Sequence, residues 1–227
     1  MSVPEAARSA ARSAFARVAR HAVRAAFRAI FRMRLEGEPP RRGGYILAAN
    51  HQGWADAFVL LALFPPAPRL VFLGDERALT HVWWKRAVMA LFGGVIRIDR
   101  TRSTDPSAIE AALAVLGRGE VLVVFPEGRV SHREDALAPF HRGVGYLSLK
   151  TRAPILPVHL SGTAELYLGR PLVARVGSLR QPPAAPPAKD ASASLAAAVH
   201  ADVAMLAPVS RDPVPERKRL RWLTDLL

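Results

Sequence analysis

Short apolar runs alternate with longer segments along this chain, and their lengths sort them into strands and helices. Residues 45–49 and 121–125 are continuous apolar stretches of five, the signature of strands covered on both faces. Similar runs near 70–73, 95–98, 154–160 and 172–176 predict four more strands. Longer segments near 55–63, 79–91, 107–117 and 143–150 suit helices. Strands and helices in alternation predict an α/β domain: a mostly parallel central sheet flanked by helices.

Two regions lie outside that alternation. From Phe15 onward, Phe15, Val18, Ala22, Ala26, Phe27 and Ile30 fall on one side of a helix. Arg17, Arg20, Arg24, Arg28 and Arg32 fall on the other, so residues 1–36 are read as a basic amphipathic helix. Between residues 181 and 194 proline, alanine and serine dominate, which predicts a linker. A short Ala-rich helix at 195–206 and a basic tail, Arg217 to Leu223, follow it. The expected organisation is therefore 1–36, a main domain at 37–180, and a linker with helical tail at 181–227.

Composition narrows the classes. At 227 residues, half of them apolar, the chain can bury one sizeable core. There is no cysteine, hence no disulfide framework and no thiol chemistry. The longest charge-free apolar stretches are about a dozen residues and broken by proline, whereas a membrane-crossing helix needs ~20. No secretory h-region is visible either, so membrane contact is expected to be peripheral.

The net charge of +13 sits at the ends: residues 1–35 hold eight arginines against one acid. Such a helix fits three readings: it lies on an anionic bilayer, packs its apolar stripe on the domain, or serves as an organellar targeting peptide. The tail is a candidate second interfacial anchor. A nucleic-acid partner would explain the charge alone, but no nucleic-acid motif is present and aromatics are sparse.

Candidate chemistry begins at Asn50-His51-Gln52-Gly53-Trp54-Ala55-Asp56. On a regular helix, residues five apart point about 140° away from each other. His51 and Asp56 can therefore meet only across a strand-to-helix turn, for which Gly53 offers backbone freedom. In that geometry the carboxylate fixes the imidazole tautomer and leaves the other ring nitrogen as a base. The plain alternative is a strand-end histidine beside a helix-capping aspartate. A second polar cluster, Glu127-Gly128-Arg129, follows the 121–125 strand and its Pro126. In open α/β sheets ligands bind outside the carboxyl ends of strands, so both clusters are expected on one edge.

Four blocks in order carry a family resemblance. Asn50-His51 with Asp56 looks like an NHxxxxD block. Gly94 to Arg100 is similar to GxIFIDR, Phe125-Pro126-Glu127-Gly128 matches FPEG, and Pro154 to Val158 resembles a strand ending in a Pro-rich apolar turn. Over residues 45–176 the chain thus resembles the glycerolipid acyltransferases, the family typified by 1-acyl-glycerol-3-phosphate acyltransferase. The resemblance implies a glycerol-3-phosphate acyltransferase-like fold and transfer of an acyl group from acyl-CoA or acyl carrier protein to a lysophospholipid hydroxyl. It assigns His51 as general base and Asp56 as its orienting acid. It makes Asn50, Arg97, Arg100, Glu127, Gly128, Arg129 and Arg142 candidates for substrate binding, with no metal and no cofactor beyond the acyl carrier. The implied acceptor is 1-acyl-glycerol-3-phosphate, and the implied setting is the cytoplasmic face of the cell membrane.

Departures limit the acceptor. The third block is often FPEGTRS but reads FPEGRVS here, moving the arginine one position early. Gly53 stands where the first block commonly has serine. A different lysolipid or an amino-lipid therefore remains an alternative acceptor, and a non-catalytic anionic-lipid-binding protein an alternative function. Arg97 and Arg100 fit phosphate binding and a structural Asp99–Arg100 pair equally. Arg142, before the helix near 143–150, fits an anion site or a simple loop. His159 is expected to be a packed core histidine. His21, His81, His132, His141 and His200 lack metal-ligand spacing, and no nucleotide-binding glycine loop occurs.

Overall fold

A computed structural model describes residues 18, 21–75, 94–98, 106–209 and 215–225. Among these, seven strands form one sheet in the order β1-β7-β6-β2-β5-β3-β4. The strands are β1 (Arg32–Glu36), β2 (Tyr45–Ala49), β3 (Leu70–Asp75), β4 (Val95–Ile98), β5 (Val121–Val124), β6 (Ile155–Ser161) and β7 (Pro171–Val176). Only the β6–β7 pair is antiparallel; every other ladder is parallel. The α/β architecture expected from the alternation is the one observed.

Helix α1 is described over 21–30. It is followed by α2 (Asp56–Leu63), α3 (Pro106–Gly117), α4 (Gly143–Thr151) and α5 (Lys189–Met205), with a 3₁₀ turn at Arg221–Asp225. The two sheet faces carry separate cores. On one face Leu47, Val123, Leu156 and Leu172 pack with Val59, Leu60 and Leu61 of α2, and Phe27 and Ile30 of α1 cover it. On the other, Ile46, Leu122 and Ile155 pack with residues of α3, α4 and α5, among them Ala112, Leu147 and Val199. This two-sided cover explains why β2 and β5 read as unbroken apolar runs.

Three expectations are corrected. Residues 32–36 belong to no helix: they form β1, an edge strand whose alternating exposure puts Met33 and Leu35 inward and Arg32, Arg34 and Glu36 outward. A period-two pattern at the end of a period-3.6 one was absorbed into the helix at the sequence level. The 181–194 linker is shorter than expected, because α5 begins at Lys189. The fourth block is no strand end. β6 runs through Pro157 to Ser161, pairing Pro157 with Ala48. Pro157 accepts from Gly177 through its carbonyl, so its missing N–H faces the β7 side, where the antiparallel ladder starts only at Val158. The helix expected near 79–91 lies outside the described residues.

Candidate active site

The chain leaves β2 toward the face of α2 and leaves β5 toward the opposite face of α4, which opens a crevice at the carboxyl ends of these neighbouring strands. Their register pairs Ala48 with Val124, so the two polar clusters emerge side by side. The main-chain N–H of His51 donates to Glu127 Oε1 at 2.7 Å, and the Ser131 N–H donates to the His51 carbonyl at 2.8 Å. The two clusters thus share one edge and touch.

His51 Nδ1 lies 2.7 Å from Asp56 Oδ2. The same oxygen accepts the N–H groups of Gln52 at 2.7 Å and Gly53 at 3.0 Å. Three donors on one oxygen hold a fully buried carboxylate at the first turn of α2, where the helix dipole favours negative charge. Asp56 makes no side-chain cap for its own helix, so the capping alternative does not describe it. An ionised carboxylate accepts only, which puts the imidazole proton on Nδ1 and leaves Nε2 basic. The ring stacks on Phe125 with centroids 4.3 Å apart and planes 18° apart, and the side chain keeps 23% exposure.

Gly53 is required for a reason other than backbone freedom. A Cβ there would come within 2.4 Å of the Thr163 carbonyl oxygen, so the β6–β7 loop approaches the turn closer than any side chain allows. Gly128, with φ of 71°, does occupy the left-handed region, and its N–H closes a tight turn onto the Phe125 carbonyl at 3.1 Å.

The remaining candidates fall into two groups. Asn50 and Glu127 are buried and bonded to main chain rather than turned toward solvent. Asn50 brackets β6, donating to the Leu160 carbonyl at 2.9 Å and accepting its N–H at 2.6 Å. Glu127 joins the His51 N–H to that of Ala138, 2.9 Å from its other oxygen. Their geometry is that of residues that set the main chain around His51. Arg97, Arg129 and Arg142 are exposed, while Arg100 lies outside the described residues. Gly128 and Arg142 line a cavity of about 340 Å³ whose walls include Leu73, Ile98, Ala108 and Leu147. Phe125, under the imidazole, lines it too, as do Lys189 and Ser192 from the first turns of α5.

Phe125 belongs to the FPEG block but carried no role in the sequence reading, and Lys189 and Ser131 were not singled out. An aromatic directly ahead of Pro-Glu-Gly was the available signal for Phe125; Lys189 had none, because it lay in the supposed linker. His159 is buried within β6, and burial together with nearby Arg175 pushes its pKa down to about 4. Among the described residues no group of three or more histidines, aspartates or glutamates could hold a metal ion. No described helix is long and apolar enough to cross a membrane.

Known proteins share part of this sequence and its fold. Residues 31–161 match the family model described as Acyltransferase. The chain is 32% identical over 131 residues to the 1-acyl-sn-glycerol-3-phosphate acyltransferase of Saccharomyces cerevisiae, covering 54% of this chain and 40% of that protein. It is 31% identical over 147 residues to the human 1-acyl-sn-glycerol-3-phosphate acyltransferase beta, covering 60% and 49%. The chain therefore spans less than half the length of these curated relatives. The crystal structure of the 1-acyl-sn-glycerophosphate acyltransferase from Thermotoga maritima shares the fold, with a TM-score of 0.66 at 22% identity over 90% of this chain and 85% of that one.

Proposed function

The chain belongs to the acyltransferase family, and from that premise we propose that it moves a fatty acyl group from a thioester to the free hydroxyl of a lysophospholipid. The acceptor in this reading is 1-acyl-glycerol-3-phosphate, the substrate in the names of the relatives above. The donor is acyl-CoA or acyl carrier protein. The observation that carries the reading is the 2.7 Å contact between His51 Nδ1 and Asp56 Oδ2, at a ring that keeps contact with solvent.

The reaction then follows from the ring's two nitrogens. Nε2 removes the proton from the acceptor hydroxyl as its oxygen attacks the thioester carbonyl carbon. Asp56 stabilises the imidazolium through Nδ1–H. When the tetrahedral intermediate collapses, the carbon–sulfur bond breaks and the thiolate leaves with the proton held on Nε2. No acyl-enzyme forms, because the acceptor is itself the nucleophile. General-base assistance contributes about 10²–10⁴-fold, so holding both substrates in line must supply much of the remainder.

Arg129 and Arg142, exposed near Gly128, offer guanidinium groups suited to a phosphate; Arg97 and Arg100 are weaker candidates for the same task. The apolar cavity that shares Phe125 with His51 is suited to hydrocarbon. Asn50, Glu127 and Gly128 serve by fixing the main chain around the base. With Phe27 and Ile30 packed on the domain, the basic N-terminal helix would hold the enzyme on an anionic leaflet, at the inner face of the cell membrane, through its arginines. The test is thioester-dependent acylation of lysophosphatidic acid by purified protein. Wild type is expected to release thiol and form diacyl product, and His51→Ala to lose at least a hundredfold; equal activity in the two proteins would remove the foundation. A panel of lysolipids in the same assay identifies the acceptor.

A further inference from the structure

Residues 215–225 pack beside the catalytic turn and leave an unusual set of side chains outward. Lys218 and Arg221 pair with Glu165 at 2.6 and 2.9 Å, and the Thr224 hydroxyl bonds the Leu166 main chain at 2.9 and 3.1 Å. The Leu168 N–H donates to the Arg219 carbonyl at 2.9 Å. Leu223 packs against the core, half-buried, and its carbonyl accepts the indole N–H of Trp54 at 3.0 Å. Trp54 stands two residues before Asp56, so the segment is anchored to the turn that holds the His51–Asp56 pair.

With those contacts made, Trp222 remains 61% exposed and Leu220 40% exposed; Leu168, on the turn they cover, is 41% exposed. An indole in water is a poor outcome for a monomeric surface but a good one at the head-group level of a bilayer, where an apolar body and a polar edge are both matched. On the segment itself the exposed Arg217 and Arg219 are balanced by the exposed Glu216 and Asp225, so the positive excess comes from α1 and the start of β1. Residues 21–34, which reach the same turn through the Gly169 N–H to Ile30 carbonyl bond and through Arg32 Nε to the Gly169 carbonyl, carry four arginines and no acid.

We propose that residues 215–225, the Leu166–Gly169 turn and the start of β1 form a docking face for an anionic bilayer surface, with Trp222 and Leu220 entering the interface and Arg217 and Arg219 meeting lipid phosphates. The face goes beyond a general attraction of the N-terminal helix, because it seats the membrane against the loop that Trp54 ties to the base. It deepens the acyl-transfer reading by naming where a membrane-borne acceptor is met, yet vesicle binding requires no chemistry.

The experiment therefore uses the full chain with His51→Ala, so that turnover plays no part, and vesicles of phosphatidylcholine with or without phosphatidylglycerol. Co-sedimentation should weaken roughly thirtyfold on anionic vesicles when Arg217→Gln and Arg219→Gln remove two cations. It should weaken about tenfold when Trp222→Ala and Leu220→Ala remove the apolar pair. Bromine-labelled lipid should quench wild-type fluorescence more than that of Trp222→Phe, which locates this indole even if the N-terminal helix dominates overall affinity. Equal quenching in the two proteins, or unchanged binding by both double variants, would overturn the proposal. So would dependence on the same residues for capturing an acidic carrier protein while vesicle binding stays intact.

Discussion

His51 and His159 lie at neighbouring strands of one sheet and have opposite surroundings. His51 leaves the end of β2, and His159 sits in β6, whose Val158 pairs with Ala49. His51 has a carboxylate on one nitrogen, an aromatic face beneath it, and an opening to solvent. His159 has the Ser161 hydroxyl at 3.4 Å and the Arg175 guanidinium nearby, and it is buried. Arg175 is held in turn by Glu36 at 2.8 Å and by Ser161 at 2.8 Å, so it cannot swing away cheaply. In the proposed reaction the first ring takes a proton, whereas burial and Arg175 disfavour one on the second. Neighbour charge and access to water, rather than residue type, make a histidine a base.

The largest effect that would test this contrast is on rate. Asp56→Asn removes the acceptor that fixes the tautomer, and acyl transfer should fall by about 10²–10⁴-fold in kcat. His159→Asn should leave kcat within about twofold; a comparable loss there would break the contrast.

Acid stability sharpens it next. With a folded-state pKa of about 4 against an ordinary 6.5, His159 binds its proton more readily in the unfolded chain. Its contribution is therefore fully present above pH 6.5 and lost as pH falls toward 4. The cost reaches the order of 3 kcal/mol at the acid end. Denaturant melts across that window should show the slope in wild type and a shallower one in His159→Asn.

Glu127→Gln probes the scaffold around His51. The amide keeps one acceptor and turns a donor toward a main-chain N–H, a buried mismatch of about 1–3 kcal/mol. Stability and kcat should fall together, since Glu127 ties the His51 N–H to that of Ala138 and the mismatch at either end loosens that tie. Least of all, Trp54→Phe deletes the donor to the Leu223 carbonyl, for about 1 kcal/mol. Its signature should be faster hydrogen exchange confined to residues 215–225.

Much of this site could be read from the chain. The two apolar runs ending in polar clusters, and the four blocks in order, place His51, Asp56 and the Glu127 segment on one sheet edge. What sequence reasoning assigned less well was how each polar residue is used. The family resemblance made Asn50 and Glu127 candidates for substrate binding; in the fold both are buried and bond the main chains of β6 and of residues 51 and 138. Gly53 read as a source of backbone freedom for the turn, whereas the nearby Thr163 carbonyl demands its bareness. β1 and the first turns of α5 were hidden by neighbours with stronger patterns, an arginine-rich helix and a proline-rich stretch.

Sequence alone determined the alternation of strand and helix, the covered faces of β2 and β5, and the five-residue spacing that lets an imidazole and a carboxylate meet across a turn. These are local matters of periodicity and reach. Tertiary structure decided that Phe125 lies under the imidazole and that Glu127 grips His51 by its main chain. It also decided that a carbonyl 169 residues away in sequence holds Trp54. Such contacts depend on which strands become neighbours, and that order emerges only when the whole core is buried at once.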